Sequence, residues 1–283
     1  MIIFKKTKEL QLFLTGLTGS LQKMGFIPTM GALHNGHISL IAESKKTDDL
    51  TICSIFVNPA QFNDPRDYEK YPVTIEHDIL MLEQAGCDIL FLPSVMEIYP
   101  TGPAQDKYYE LGYLETNLEG RYRPGHFQAV CMVMEKLLTI IKTDNLYLGR
   151  KDYQQCMVIK KLVEQMNFIK PITVKICNTL READGLAMSS RNLRLTMEER
   201  KEASAIFEAL ELMKKDLQPG KLENLKERAR HLLDKHQLRP DYIEIAEADT
   251  LHIVSAWDGK TKLVGLIAAY MNEVRLIDNL ALA

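Results

Sequence analysis

Two histidines stand three residues apart in the segment PTMGALHNGH, Pro28 to His37, with glycines at positions 31 and 36. In the first turn of a helix that spacing turns His34 and His37 to one side. Two such donors can stabilise the charge that builds on a phosphate under attack. Gly31 permits a tight turn, and Gly36 lets backbone approach a ligand at a helix N-terminus, where amides and dipole favour phosphate. The same pair also reads as a zinc site or as two surface histidines. For zinc, no third ligand stands nearby at a plausible spacing.

Four further segments carry chemistry. In FVNPAQF, Phe56 to Phe62, the amides of Asn58 and Gln61 suit a substrate's hydroxyl or carboxylate oxygens, although NPAQ also reads as a plain turn. In LGRKDYQQ, Leu148 to Gln155, Lys151 offers a point charge for phosphate. Asp152 there could cap a helix, hold a ribose hydroxyl or hold a metal-bound water. Gln154 and Gln155 are adjacent, so at most one of them faces a ligand. In READGLAMSSRNLRL, Arg181 to Leu195, the run Ser189, Ser190 and Arg191 is small, polar and cationic. It suits a mobile lid over triphosphate oxygens, or a linker with a helix cap. In EGRYRPGHF, Glu119 to Phe127, His126 is expected to line the site, and Arg121 and Arg123 to belong to a flexible surface connection.

The elements that must position these residues follow from periodicity. Leu10, Phe13, Leu14, Leu17 and Leu21 repeat at helical spacing from about Thr7. Met24 to Ile27 is a short apolar run ended by Pro28, and a second helix is expected from Gly36 to Lys46. LTICSIFVN, from Leu50 to Asn58, reads as a buried strand, and DILFLP, from Asp88 to Pro93, as another, with a helix from Thr74 to Ala85 between them. His126 to Lys142 is apolar almost all round and predicts a buried helix. The strands LYLG and ITVKIC flank a helix over DYQQCMVIKKLVEQM. Strand and helix in alternation imply βαβ units, so residues 1–177 predict an α/β, doubly wound parallel sheet of Rossmann-like, nucleotidyltransferase type. The phosphate-binding segments then fall at the carboxyl ends of strands, where open sheets take ligands. Residues 178–283 predict a smaller α+β domain acting as a lid. It has helices over Thr196–Lys215 and Lys221–His236, broken at Gln218–Gly220, and strands DYIEIAEA, KLVGLIAAYM and EVRLIDNL. No internal repeat or low-complexity tract is visible.

Bulk properties narrow the function. A length of 283 residues is enough to bury a core without disulfides or metals. A net charge of −3 gives no general attraction to nucleic acid or anionic membranes, so any phosphate must be held locally. The five cysteines, an odd number with no CxxC pair, predict buried reduced thiols. MIIFKKTKEL reads as no signal peptide, and no apolar run approaches a membrane span, so a soluble cytoplasmic protein is expected.

Taken in order, PTMGALHNGH, FVNPAQF, RPGHF, GRKDYQQ and GLAMSSRN resemble the successive motifs of the pantothenate synthetase (pantoate–β-alanine ligase) family, within the HxGH nucleotidyltransferase-like group. The resemblance covers the whole chain. It implies joining of pantoate to β-alanine with ATP and Mg²⁺, through a pantoyl-adenylate, with release of AMP and pyrophosphate, by a homodimer. It places ATP contacts on Pro28, Thr29, Met30, Gly31, Ala32, Leu33, His34, Asn35, Gly36 and His37. Further ATP contacts fall on Gly149, Arg150, Lys151, Asp152, Leu180, Ala187, Met188, Ser189, Ser190 and Arg191. It places pantoate on Gln61 and Gln155 with Asn58 nearby, and the catalytic role on His37 with His34 beside it; the segments themselves add His126 as a substrate-binding and Lys151 as a catalytic candidate. Metal ligands are not fixed by it, and Asp78 and Asp152 are the carboxylates considered. One departure is visible, since Arg150 stands where the family usually has an acidic residue. Two rival classes are nucleotidyl transfer to a phosphorylated acceptor and ATP sensing without turnover. The Asn58–Gln61 segment supplies no cationic acceptor site, and binding alone needs fewer groups than both histidines, Lys151 and Arg191. Formation of AMP and pyrophosphate separates the three.

Overall fold

The computed structural model describes residues 1–17, 23–103 and 107–283. The chain divides into two compact units, one of residues 1–150 and 155–178, the other of residues 151–154 and 179–283.

In the first unit, six strands form one parallel sheet among the described residues. They are β1 (Ile2–Phe4), β2 (Met24–Thr29), β3 (Leu50–Ile55), β4 (Ile89–Phe91), β5 (Asn145–Gly149) and β6 (Thr173–Cys177), in the spatial order β1-β4-β3-β2-β5-β6. From β2 the chain builds outward through β3 and β4, then crosses back to lay β5 and β6 on the other side. The doubly wound parallel sheet is therefore as expected, and its order reverses between β2 and β5, where open α/β sheets take ligands. Successive strand residues point to opposite faces. Phe26, Ile52, Ile89 and Leu146 enter one core, while their neighbours Ile27, Cys53, Leu90 and Tyr147 enter the other. Burial on both faces explains why these strands read as continuous apolar runs rather than alternating ones.

Helices Asn35–Thr47 and Ile75–Gln84 supply Leu40, Ile41 and Leu82 to the second core. Helix His126–Ile141 starts behind Gly125, which has φ +78°, and nearly its whole first half is buried in the other core. The first helix covers Thr7–Leu17, and the expected helical position Leu21 lies outside the described residues. β1 was not anticipated. At three residues it is too short to show a period, and its pairing with β4 defines it.

The second unit is α+β. After the two-residue β7 (Gly220–Lys221), the strands β8 (Leu238–Glu247), β10 (Leu263–Met271) and β11 (Val274–Ala281) form an antiparallel sheet, ordered β11-β10-β8, and β9 (Ala256–Trp257) pairs with β7. The β10–β11 turn uses Asn272 at φ +47°, a conformation Asn tolerates. β8 begins earlier than expected and includes Pro240, which sits on an edge strand beside a register shift. The expected helix 196–215 is two helices, Met197–Glu202 and Ala205–Lys215. At the break, the Ser204 hydroxyl donates to the Lys201 carbonyl at 2.9 Å, which competes with helix continuation. No described helix is long and apolar enough to cross a membrane.

Candidate active site

The candidate residues fall into two groups, one in each unit. In the first unit the segment 28–37 runs from the carboxyl end of β2 into helix Asn35–Thr47. Thr29 ties it to the sheet, its hydroxyl donating to the Ser54 carbonyl at 2.7 Å. The chain then turns through Gly31 at φ +81° and Ala32 at φ +47°. A side chain at Gly31 would press on Ile55 and on a carboxylate oxygen of Asp78, so that turn needs glycine for space as well as for φ.

Asp78 is what holds the turn. Fully buried, its carboxylate accepts the Ala32 amide at 2.9 Å, the Leu33 amide at 2.8 Å and the Thr74 hydroxyl at 2.9 Å. Asp78, considered as a metal ligand, thus spends three of its carboxylate lone pairs on the loop. No sequence pattern signals this role, since the amides it meets lie forty-five residues and more away in the chain.

The helix that follows is capped by the histidines themselves. The Gly36 amide donates to His34 Nδ1 at 3.1 Å, and the His34 amide donates to His37 Nδ1 at 3.3 Å, a reciprocal capping box. The rings lie on one side, as the three-residue spacing requires, with centroids 4.0 Å apart. The Gly36 amide, expected to be open to a ligand, is occupied by an imidazole. A backbone N–H cannot be reversed, so each Nδ1 must be an acceptor and each neutral ring carries its proton on Nε2. Both histidines are thereby made Nε2–H donors. Asn35 is exposed, Met30 half-buried, and Leu33 buried in the core.

After β3 the segment FVNPAQF forms a short 3₁₀ turn, Pro59–Gln61. Asn58 is 1% exposed, its amide donating to the Ala129 carbonyl at 3.3 Å and its oxygen accepting from the Tyr99 hydroxyl at 3.1 Å. Burial pushes that Tyr99 hydroxyl's pKa well up. Gln61 is half-buried, and its backbone carbonyl accepts from His126 Nδ1 at 3.0 Å and from Arg123 Nη2 at 3.3 Å. With Nδ1 donating, His126 Nε2 accepts from Arg123 Nη1 at 3.1 Å, the opposite tautomer to the HxGH pair. Arg123, expected in a flexible surface connection, is instead 20% exposed and paired with Glu119 at 3.7 Å. Arg121 is exposed. Gly149 ends β5, Arg150 follows it, and Gln155 is half-buried on helix Tyr153–Gln165 while its neighbour Gln154 is buried.

In the second unit, Lys151 and Asp152 are half-buried. The segment 180–191 is not an open loop. Leu180 to Met188 folds back on itself through Gly185, with Met188 donating to the Leu180 carbonyl and Glu182 to the Leu186 carbonyl. Ser189 then caps the 3₁₀ turn Ser190–Arg194, its hydroxyl accepting the Arg191 amide at 3.3 Å. Ala187 and Ser190 are buried, Met188, Ser189 and Arg191 half-buried, and Leu180 40% exposed. Among the described residues, no three His, Cys, Asp or Glu side chains cluster closely enough to hold a metal ion.

The sequence model of one family, described as Pantoate-beta-alanine ligase, matches residues 2–281. The chain belongs to the pantoate–β-alanine ligase family. A pantothenate synthetase of Cytophaga hutchinsonii is 42% identical over 285 residues, covering 100% of this chain and 99% of the relative. One of Dehalococcoides mccartyi is 44% identical over 264 residues, covering 92% and 96%. Among solved structures, a pantothenate synthetase from Thermus thermophilus superposes with a TM-score of 0.91 at 37% identity, over 100% of this chain and 99% of that one. The Francisella tularensis pantoate-beta-alanine ligase, complexed with beta-gamma ATP and beta-alanine, gives 0.83 at 39% identity, over 99% and 97%.

Proposed function

We propose that this member of the ligase family condenses pantoate with β-alanine to pantothenate, using ATP and releasing AMP and pyrophosphate through a pantoyl-adenylate. The observation that carries the reading is the full-length match to the family at about 40% identity, together with the loop that turns both HxGH histidines into Nε2–H donors.

Pantoate's carboxylate is an anion at neutral pH and needs no general base. Its oxygen attacks the α-phosphorus, the bond from that phosphorus to the bridging oxygen breaks, and pyrophosphate leaves. The enzyme's work is to align the attack and to meet charge on the α-phosphate oxygens. His37, with His34, donates Nε2–H to those oxygens, and Lys151 and the Ser189–Arg191 turn carry positive charge and donors for the phosphates. Gln61 and Gln155 hold pantoate. Asn58 and His126 serve that subsite by bracing the Gln61 turn. The neutral amine of β-alanine then attacks the acyl carbon, the bond to the phosphate oxygen breaks, AMP leaves and the amine gives up a proton. Shielding of the adenylate from water between the two steps is assigned to residues 178–283 as a lid.

Mg²⁺ is proposed to arrive on the triphosphate, as this ion commonly does, with Asp152 as a carboxylate candidate. It would neutralise phosphate charge. We place the enzyme in the cytoplasm as a homodimer. Product analysis tests the reading: AMP, pyrophosphate and pantothenate should form together and only when both acids are present. A stable nucleotidyl product, or ATP binding without turnover, would instead favour one of the rival classes.

A further inference from the structure

The backbone of Lys151 is placed by contacts from elsewhere in its unit. Residues 151–154 group with the second unit although the chain on either side, Arg150 and Gln155, belongs to the first. Two tethers reach this segment. The Asn279 side-chain amide donates to the Lys151 carbonyl at 2.8 Å, and the Tyr153 hydroxyl donates to the Ala248 carbonyl at 2.7 Å.

Asn279 is itself fixed. It is 4% exposed, its amide N–H donates to Asp278 Oδ1 at 2.8 Å, and its carbonyl accepts from Arg181 Nη2 at 3.2 Å. Arg181 makes a two-point pair with Asp278, at 2.5 and 3.1 Å, donates to the Gly185 carbonyl at 3.0 Å, and stacks over the Phe207 ring at 4.1 Å. Asp278 is 4% exposed. Burial raises its carboxyl above the ordinary range. The Arg181 guanidinium opposes that most, and the Lys151 charge is near enough to oppose it too. A two-point guanidinium–carboxylate pair fixes geometry as well as charge, so it is a rigid base for the Asn279 amide.

We infer that Asn279, held by the Arg181–Asp278 pair, is a positioning residue for Lys151 in adenylate formation. This rests on the ligase reading above. Asn279 holds the lysine's backbone carbonyl, so its effect passes through where the Lys151 ammonium is presented.

The test compares wild type with N279A in the full chain. It uses hydrogen–deuterium exchange of the peptide over residues 151–154 and the kinetics of pantoate-dependent exchange of labelled pyrophosphate into ATP. N279A should lose protection in that peptide and lower the exchange kcat by about 10–100-fold, the range that ångström-scale misplacement produces. The KM for pantoate should stay unchanged, which a general loss of structure would not achieve. N279D, similar in shape but unable to donate, should behave as N279A does and serves if the alanine variant folds poorly. Wild-type protection over 151–154, an unchanged kcat, or a rise in pantoate KM alone would overturn the inference. Absence of exchange in the wild type would reject the ligase reading instead, and the protection measurement would still decide the role of Asn279.

Discussion

His34 and His37 do two things at once, closing the start of a helix through Nδ1 and presenting a proton at Nε2. Replacing His37 by Ala leaves the His34 cap in place and removes the acceptor of the His34 amide, which should cost about 0.5–1.5 kcal/mol of stability. It should also slow adenylate formation by about 10²–10³-fold, as loss of one oxyanion donor does. A melting curve and the exchange rate measure the two separately, and an unchanged rate would remove His37 from the chemistry. Long-range proton–nitrogen NMR of the imidazoles should find acceptor-type Nδ1 and protonated Nε2 in both rings. Asp78→Asn puts an amide NH₂ against the Ala32 or Leu33 N–H, leaving buried donors facing one another. That should lower stability by about 1–3 kcal/mol in denaturant unfolding and shift the histidine signals, whereas an unperturbed loop would show that Asp78 does not anchor it. At this scale the three-residue histidine spacing and the turn at Gly31 were legible, because local geometry follows from local sequence. The braces were not. Asp78, Arg123 and Asn279 act across long separations, on backbone groups that no sequence pattern marks.

Elements were legible where period and length agreed. The strands at 50–55 and 263–271 and the helix 126–141 bury enough apolar surface to show it in sequence. Short elements were not, since β1, the 3₁₀ turns and the folded-back segment 180–188 are fixed by partners rather than propensity. One such turn gives a pH prediction. Asp258 accepts the Thr261 and Lys260 amides, each at 2.8 Å, and the Thr261 hydroxyl at 2.9 Å. The Thr261 amide foremost, then that of Lys260, lowers its carboxyl from 3.8 to about 2. A depressed carboxylate pKa means the folded turn binds its proton less tightly than the unfolded chain does. Its contribution is thus fully present above 3.8 and is lost as pH falls through about 2. NMR titration of the Asp258 carboxyl should give the lower value, and D258N should abolish the corresponding low-pH loss of protection in residues 257–261.

At the scale of the molecule, the strand order explains why segments far apart in sequence matter together. The chain returns past β2 to place β5 beside it, so the loop after β2 and the end of β5 meet one sheet edge. Alternating elements made that parallel sheet legible, but not the order of its strands, which is set by crossovers rather than by any local pattern. The cysteines give a whole-chain check. Cys53, Cys87, Cys131 and Cys156 are buried and Cys177 is half-buried, with burial raising the thiols of Cys87 and Cys131 to about 12. A thiol reagent at neutral pH should label the native protein only at Cys177, and slowly, and label all five after unfolding. Rapid labelling of a buried thiol would contradict the packing described. Attack of pantoate's carboxylate on the α-phosphorus of ATP is the step on which the proposed function turns. It is tested most directly with pantoate whose carboxylate oxygens carry a heavy isotope, in the complete reaction with β-alanine. Mass spectrometry should find one heavy oxygen in AMP and none in pyrophosphate, and AMP free of label would rule out attack by the carboxylate on the α-phosphorus.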